Sequence, residues 1–521
     1  MSFVDLDLPF DEAENYLQPS NKNKFNSLFY KEKNFDKLLE STTYFLIGDK
    51  GSGKTAYSAY FCNNIVSSGI HSKQYVITVD DYGKIIQMKR DGKLNYSHYI
   101  TMWKAIILIK LFATLDENEV STFGLRSYNR VKEALKKHNL NNIMLDSFSP
   151  TSIIDNKELV SNFSIGFDVK NVGLKRDSTN FNNVQREFTS QTYTDIWSEV
   201  ICSITESLSS LRLKNHHYLF IDGIDSRPSD IDYASYVECV YPLVRAVYEI
   251  NADILSRIKD RAKGRLQIVL LTRLDIFLKS GLSNPGSKIS DNCAFLNWAN
   301  IKEENYRETD IFLLVNNMLR EEQNGVTVPW DFYFGYSMLT QDGSQLPSFV
   351  YFLRNTTIKP RDFVKILKII QEQCKLQKVQ NPTKAILQSD QFRRAYSTYY
   401  ADSIRTMLSF YYDSDDIQRL FGFIRSLKTN VIEYTKFLEK WNSSADKTKL
   451  EKAFGNCNGA IKVLFDANAL CYIETDKDTR YRWKYRETTL ANYDFVISDD
   501  VLRKGVKLQF HPALEKEFGL Y

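Results

Sequence analysis

Lys54 and Thr55 close the segment Gly48-Asp49-Lys50-Gly51-Ser52-Gly53-Lys54-Thr55, which the apolar run Tyr44-Phe45-Leu46-Ile47 leads into directly. The spacing is G-x-x-x-x-G-K-[ST], the pattern of a phosphate-binding loop. Gly48, Gly51 and Gly53 permit backbone angles that a side chain would block. The peptide N–H groups from Gly48 through Ala56 can then turn inward as an anion-binding nest at a helix N-terminus. In such a loop the Lys54 ammonium reaches the β- and γ-phosphates of a nucleotide and the Thr55 hydroxyl binds Mg2+. An apolar strand, a glycine loop and a helix-forming stretch at Ala56–Val66 come in the order this chemistry requires.

A second chemical element is Tyr218-Leu219-Phe220-Ile221-Asp222-Gly223-Ile224-Asp225. Apolar residues followed by an acid describe a central strand that delivers a carboxylate to its C-terminal edge, where ligands sit in open α/β sheets. Asp222 would hold Mg2+ through water. Asp225 would orient or deprotonate a water in line with the γ-phosphate. A further strand, Leu266–Leu271, ends in Thr272-Arg273-Leu274-Asp275. Thr272 or Arg273 is placed to sense the γ-phosphate; the alternative is that Arg273 pairs with Asp275 or Asp225.

The elements that must position these groups can be read around them. The chain has 521 residues, 43% hydrophobic and 25% charged, with a formal net charge of +4. That length exceeds one compact core, and the small charge gives nucleic acid no support from composition. The longest apolar run, Ala105–Leu115, contains Lys110 and is too short to span a bilayer. The acidic N-terminus lacks a signal-peptide pattern, and seven scattered cysteines without C-x-x-C read as free thiols of a cytoplasmic protein. The pair His216-His217, at the start of an apolar strand, is expected at the surface. Gln74–Val79 reads as a buried strand, Asn162–Leu174 as a β-hairpin, and residues 98–115, 126–138 and 194–211 as helices. Pro360 suits a first helical turn, with Phe363, Ile366, Leu367 and Ile370 on one face.

In the last segment, helices precede Leu470–Glu474 and Arg480-Tyr481-Arg482-Trp483-Lys484-Tyr485-Arg486. Read as a strand, the latter puts four basic side chains on one face and three aromatics on the other. That face is either a solvated surface or a wing that contacts DNA phosphates.

With these elements in hand, the chain resembles the AAA+/STAND side of the P-loop ATPases. More specifically it resembles a poorly characterised bacterial family, some members of which occur with anti-phage defence genes. The matching segments are Asp11-Glu12-Ala13-Glu14, the G-D-K-G-S-G-K-T-A loop, I-D-G-I-D at 221–225 and L-L-T-R-L-D-I-F at 270–277. Leu296-Asn297-Trp298, K-P-R-D-F at 359–363 and Phe510-His511-Pro512-Ala513-Leu514 match as well. The resemblance implies an α/β fold with a P-loop NTPase parallel-sheet core, a helical lid and a C-terminal winged-helix-like domain. The boundaries are then a lead-in at 1–41, a core with inserted hairpin and helices at 42–300, a lid at 301–394 and the C-terminal domain at 395–521. It also implies that Arg361, by residue type alone a surface or capping arginine, occupies the sensor-2 position of the lid. One departure matters: many active AAA+ enzymes have Asp-Glu where this chain has Asp222-Gly223. The spelling is closer to the Asp-Gly-x-Asp of STAND switches and favours slow, gated turnover.

The leading expectation is therefore an ATP-binding, Mg2+-dependent ATPase, converting ATP and water to ADP and phosphate slowly, as a nucleotide-gated switch. Its output would be assembly with itself or with a separate effector protein. ATP is favoured over GTP because no N-K-x-D stretch is present. The rival readings are a DNA-binding loader or remodeller using the winged helix, and a scaffold that binds ATP without hydrolysing it. No membrane association is expected.

Overall fold

Strands β1 (Phe45–Gly48), β3 (His216–Asp222) and β4 (Leu266–Thr272) are buried along almost their whole length, as strands covered on both faces must be. With β2 (Ile70–Val76) and β5 (Cys293–Leu296) they form one five-stranded parallel sheet in the order β2-β3-β4-β1-β5. The computed structural model describes residues 2–63, 69–137, 190–208, 210–258, 264–320, 328–339, 343–475 and 479–521. The hairpin expected at Asn162–Leu174 lies outside them.

The chain forms two compact units. One comprises Leu38–Ile47 and Tyr57–Ala294; the other comprises Met1–Lys37, Gly48–Ala56 and Phe295–Tyr521. In the sheet-bearing unit, Ile47 is opposite Thr272 and Ile221 is opposite Leu270. The C-terminal ends of β1, β3 and β4 thus share one edge, with β4 between the other two. The helix Tyr99–Phe112, which carries the longest apolar run, is buried nearly all round. Its Trp103 indole donates to the Cys239 carbonyl at 2.9 Å, and Lys110 holds its ammonium 4.5 Å from the Tyr75 ring centroid, a cation–π contact. Among the described residues no helix is long and apolar enough to cross a membrane, and all seven cysteines are free.

Two expectations in this unit are corrected. The second strand runs over Ile70–Val76, at the edge of the sheet, and only Tyr75 in it is buried. It stops early because Thr78 and Asp81 form a capping box that starts the helix Val79–Arg90; T-x-x-D was a local signal for this. His217 is not at the surface. It is 1% exposed, because β3 lies between β2 and β4 and is covered from its second residue. Its ring stacks on His71 at 5.2 Å, and burial lowers its pKa to about 4 against the opposing pull of Glu119.

The other unit has one continuous apolar core. Phe3, Leu6 and Leu8 of the N-terminal lead-in join it beside residues from the helices Asp310–Met318, Pro360–Leu376, Asp390–Leu408 and Ser414–Leu427. A two-stranded ribbon, β6 (Ser337–Leu339) with β7 (Gln345–Pro347), leads into the helix Ser348–Arg354. Towards the C-terminus, β8 (Val431–Glu433), β9 (Leu470–Thr475), β10 (Thr479–Arg482) and β11 (Lys507–Phe510) make a four-stranded sheet in the order β10-β9-β11-β8.

The basic face expected over residues 480–486 does not form as a single strand face. β10 ends at Arg482, and Lys484–Glu487 is a short helix. Trp483 and Tyr485 turn into the core while Tyr481 is half exposed. Arg482 pairs with Glu474 at 2.8 Å and Glu487 at 3.2 Å, Lys484 lies 3.6 Å from Asp466, and Arg486 pairs with Glu303 at 2.9 Å. Carboxylates thus claim Arg482, Lys484 and Arg486, cations that a phosphate backbone would need.

His511, from the C-terminal motif, is fully buried, with its ring 4.3 Å from that of Tyr400 and its Nδ1 accepting from the Ala513 N–H. Burial lowers its pKa from 6.5 to about 3. Unfolding frees the imidazole to take a proton below pH 6.5, so the unfolded state binds more protons between pH 6.5 and about 3. Stability is therefore fully present above pH 6.5 and falls on acidification, by up to about 1.4 kcal/mol per pH unit from this group. Chemical unfolding at stepped pH should show His511→Gln with a flatter acid limb than the wild type; parallel limbs would contradict the assignment.

Candidate functional site

The loop after β1 turns through Gly51 at φ 84° and Gly53 at φ 98°, the left-handed region open to glycine. The helix Lys54–Cys62 then begins at the lysine itself. Lys54 is 5% exposed, and its Nζ donates to the Gly48 and Asp49 carbonyls at 2.9 and 3.2 Å. Gly48 and Ser52 are buried; Asp49, Lys50, Gly51, Gly53, Thr55 and Ala56 are half-buried. A left-handed glycine turn ending on a helix N-terminus with a buried cation is an arrangement suited to phosphate.

Segments far apart in the sequence converge on this loop. The Trp298 indole N–H donates to the Ser52 carbonyl at 2.9 Å. The Arg361 backbone N–H donates to the Gly51 carbonyl at 3.3 Å, and Lys359 Nζ lies 3.1 Å from the Asp49 carboxylate. Pro360 opens the helix Pro360–Leu376, so its missing N–H falls where no intrahelical bond is needed. The Arg361 guanidinium donates to Glu12 at 3.2 Å, and Lys365 and Lys368 lie 3.8 and 3.0 Å from Asp11. Residues 361, 365 and 368 share a helix face, so the acidic lead-in runs along a basic stripe that starts at the loop.

The turn before this helix contains a feature that sequence reasoning missed. Ile358 has φ 55° and is fully buried, a strained conformation for a β-branched residue that costs on the order of 1–3 kcal/mol. The Asp362 carboxylate holds the turn by accepting from the Thr357 N–H at 2.9 Å, the Thr357 hydroxyl at 2.6 Å and the Tyr399 hydroxyl at 3.0 Å. T-x-x-x-x-D before an apolar run gives no distinctive signal.

The sheet-bearing unit carries the acidic residues. Asp222, 7% exposed, accepts from Gln74 Nε2 at 3.3 Å and from the Gly223 N–H at 2.8 Å. Asp225 follows in a half-buried loop. Thr272 is fully buried, and its hydroxyl donates to the Arg273 carbonyl at 3.3 Å. Arg273 makes a forked ion pair with Asp275, its Nε 3.0 Å from the carboxylate. Of the alternatives for Arg273, the pair with Asp275 is therefore present. Among the described residues no group of three or more His, Cys, Asp and Glu side chains could hold a metal by itself.

No protein-family model matches this chain, and neither a curated protein nor a solved structure matches it.

Proposed function

We propose that the chain is an ATP-binding, Mg2+-dependent P-loop ATPase that turns over slowly and acts as a nucleotide-gated assembly switch. The observation that carries this reading is the loop: left-handed Gly51 and Gly53, a buried Lys54 at the start of a helix, and Arg361 bonded to the loop backbone. In this reading Lys54 and the loop amides bind the phosphates, Thr55 and Asp222 hold Mg2+, and Asp225 positions the attacking water. Thr272, Arg273 and Arg361 report the γ-phosphate. Mg2+, when bound, neutralises phosphate charge. A switch needs contacts that differ between ATP and ADP, and Arg361 supplies one. By the resemblance, the setting is anti-phage defence with a separate effector protein and a C-terminal winged-helix-like domain. The ion pairs of Arg482, Lys484 and Arg486 weigh against the DNA-binding alternative.

The test is light-scattering mass with and without ATP and Mg2+, alongside phosphate release. An ATP-dependent rise in mass with slow release supports the switch. An unchanged mass with negligible release leaves the non-hydrolysing scaffold in front.

Glu12 competes with a γ-phosphate for Arg361. Glu12→Gln is expected to tighten ATP binding by up to about fivefold, since a partly exposed ion pair contributes about 0–1 kcal/mol. The gain should shrink at high salt. A fluorescent-nucleotide titration at two ionic strengths checks both.

A further inference from the structure

We infer that two buried tyrosines, Tyr82 and Tyr236, are positioning residues for the acidic loop, fixing Asp225 through its neighbours' backbone carbonyls. The inference rests on the ATPase reading above and adds residues that no sequence motif marks.

Tyr82 lies on the helix Val79–Arg90 and Tyr236 on the helix Tyr233–Glu249. Their side chains are 1% and 0% exposed, with ring centroids 4.9 Å apart. The Tyr82 hydroxyl donates to the Gly223 carbonyl at 3.3 Å. The Tyr236 hydroxyl is 3.2 Å from both the Ile224 and the Ser226 carbonyl oxygens, as a shared donor. Three of the four carbonyls of residues 223–226 therefore end on these two phenols, and Asp225 stands among them. Burial raises both phenol pKa values, so both stay protonated and able to donate.

Other contacts pin the loop alongside the phenols. Gly223 is pressed against the Ile77 backbone, and the Arg227 guanidinium donates to the Ile231 carbonyl beyond the loop. Ile224 is fully buried. Loops that carry function are ordinarily supported by a rigid scaffold. Here the support comes from the faces of two helices, and without the hydroxyls the Ile224 and Ser226 carbonyls would lose their phenolic donor. A water-orienting carboxylate must be held closely, because a misplacement of about 1 Å can cost on the order of a hundredfold in rate.

The experiment compares wild type, Tyr236→Phe and Tyr99→Phe for ATP dissociation constant, single-turnover rate and thermal midpoint. Tyr99 is a control: fully buried in the same unit, on the helix Tyr99–Phe112, with a hydroxyl that bonds none of these carbonyls. Tyr236→Phe is expected to bind ATP as wild type does and to turn over about ten- to a hundredfold more slowly, with Tyr99→Phe at the wild-type rate. An unchanged rate in Tyr236→Phe overturns the positioning role. So does a loss of affinity, rate and thermal midpoint together, which would mark the hydroxyl as merely structural. A wild type that binds ATP but never hydrolyses it overturns this inference while leaving nucleotide binding intact; a wild type that binds no nucleotide overturns the ATPase reading itself.

Discussion

Lys54→Ala is expected to lower ATP affinity about ten- to a hundredfold and to abolish any ATP-dependent increase in mass. A hydrogen bond from a charged donor contributes about 1.5–3 kcal/mol, and the Lys54 ammonium is the one cation within the loop's own helix start. Its Nζ bonds the Gly48 and Asp49 carbonyls, so the side chain is already confined to the loop and loses little freedom when it meets phosphate. The effect on folding should be the smaller one, because removing the ammonium also removes the cost of burying it. Lys54→Arg separates charge from shape: a planar guanidinium keeps the charge and does not reproduce the compact ammonium. Calorimetric titration with ATP and Mg2+ measures all three proteins. Wild-type affinity in Lys54→Ala would sink the assignment of this loop as the phosphate site.

The second large effect concerns Gly223, the residue that distinguishes this chain from the Asp-Glu spelling of many active AAA+ enzymes. Gly223 has φ 93°, and a Cβ there would lie 2.5 Å from the Ile77 carbonyl oxygen. Ile77 has little room to move, since its own N–H donates to the Asp222 carbonyl at 3.0 Å. A side chain at 223 meets backbone strain of roughly 1–2 kcal/mol and an overpacking cost of roughly 1–3 kcal/mol. Gly223→Ala is therefore expected to destabilise the sheet-bearing unit by about 2–5 kcal/mol. Gly223→Glu should lower the thermal midpoint at least as much and raise turnover not at all. A stable Gly223→Glu with faster hydrolysis would show that the glycine is a catalytic choice and not a steric one.

The local features of the candidate site were legible because each depends on residues adjacent in the chain. An apolar tetrad, a glycine loop and a helix follow one another at 44–62, and the structure has β1, two left-handed glycines and a helix there. The apolar runs at 218–221 and 266–271 are buried strands of one parallel sheet. The amphipathic run after Pro360 is a helix with Phe363, Ile366, Leu367 and Ile370 buried.

What the sequence left open depends on which strand or side chain ends up beside which. Whether a strand is central or at an edge is a property of sheet order, which buries His217 and leaves most of β2 only partly covered. Alternation could not foresee that the basic run breaks after Arg482, nor that Arg486 pairs with Glu303, 183 residues away. Arg361 and Glu12 stand 349 residues apart, a separation at which no periodicity carries information. The two phenols beneath Asp225 were invisible for the same reason: a tyrosine on an apolar helix face reads as core, and only packing shows where its hydroxyl ends. Read alone, the sequence settled which segments around the candidate site form strands, glycine turn and helices, since spacing along the backbone sets local conformation. The tertiary structure decided the partners, since pairing depends on distance in space.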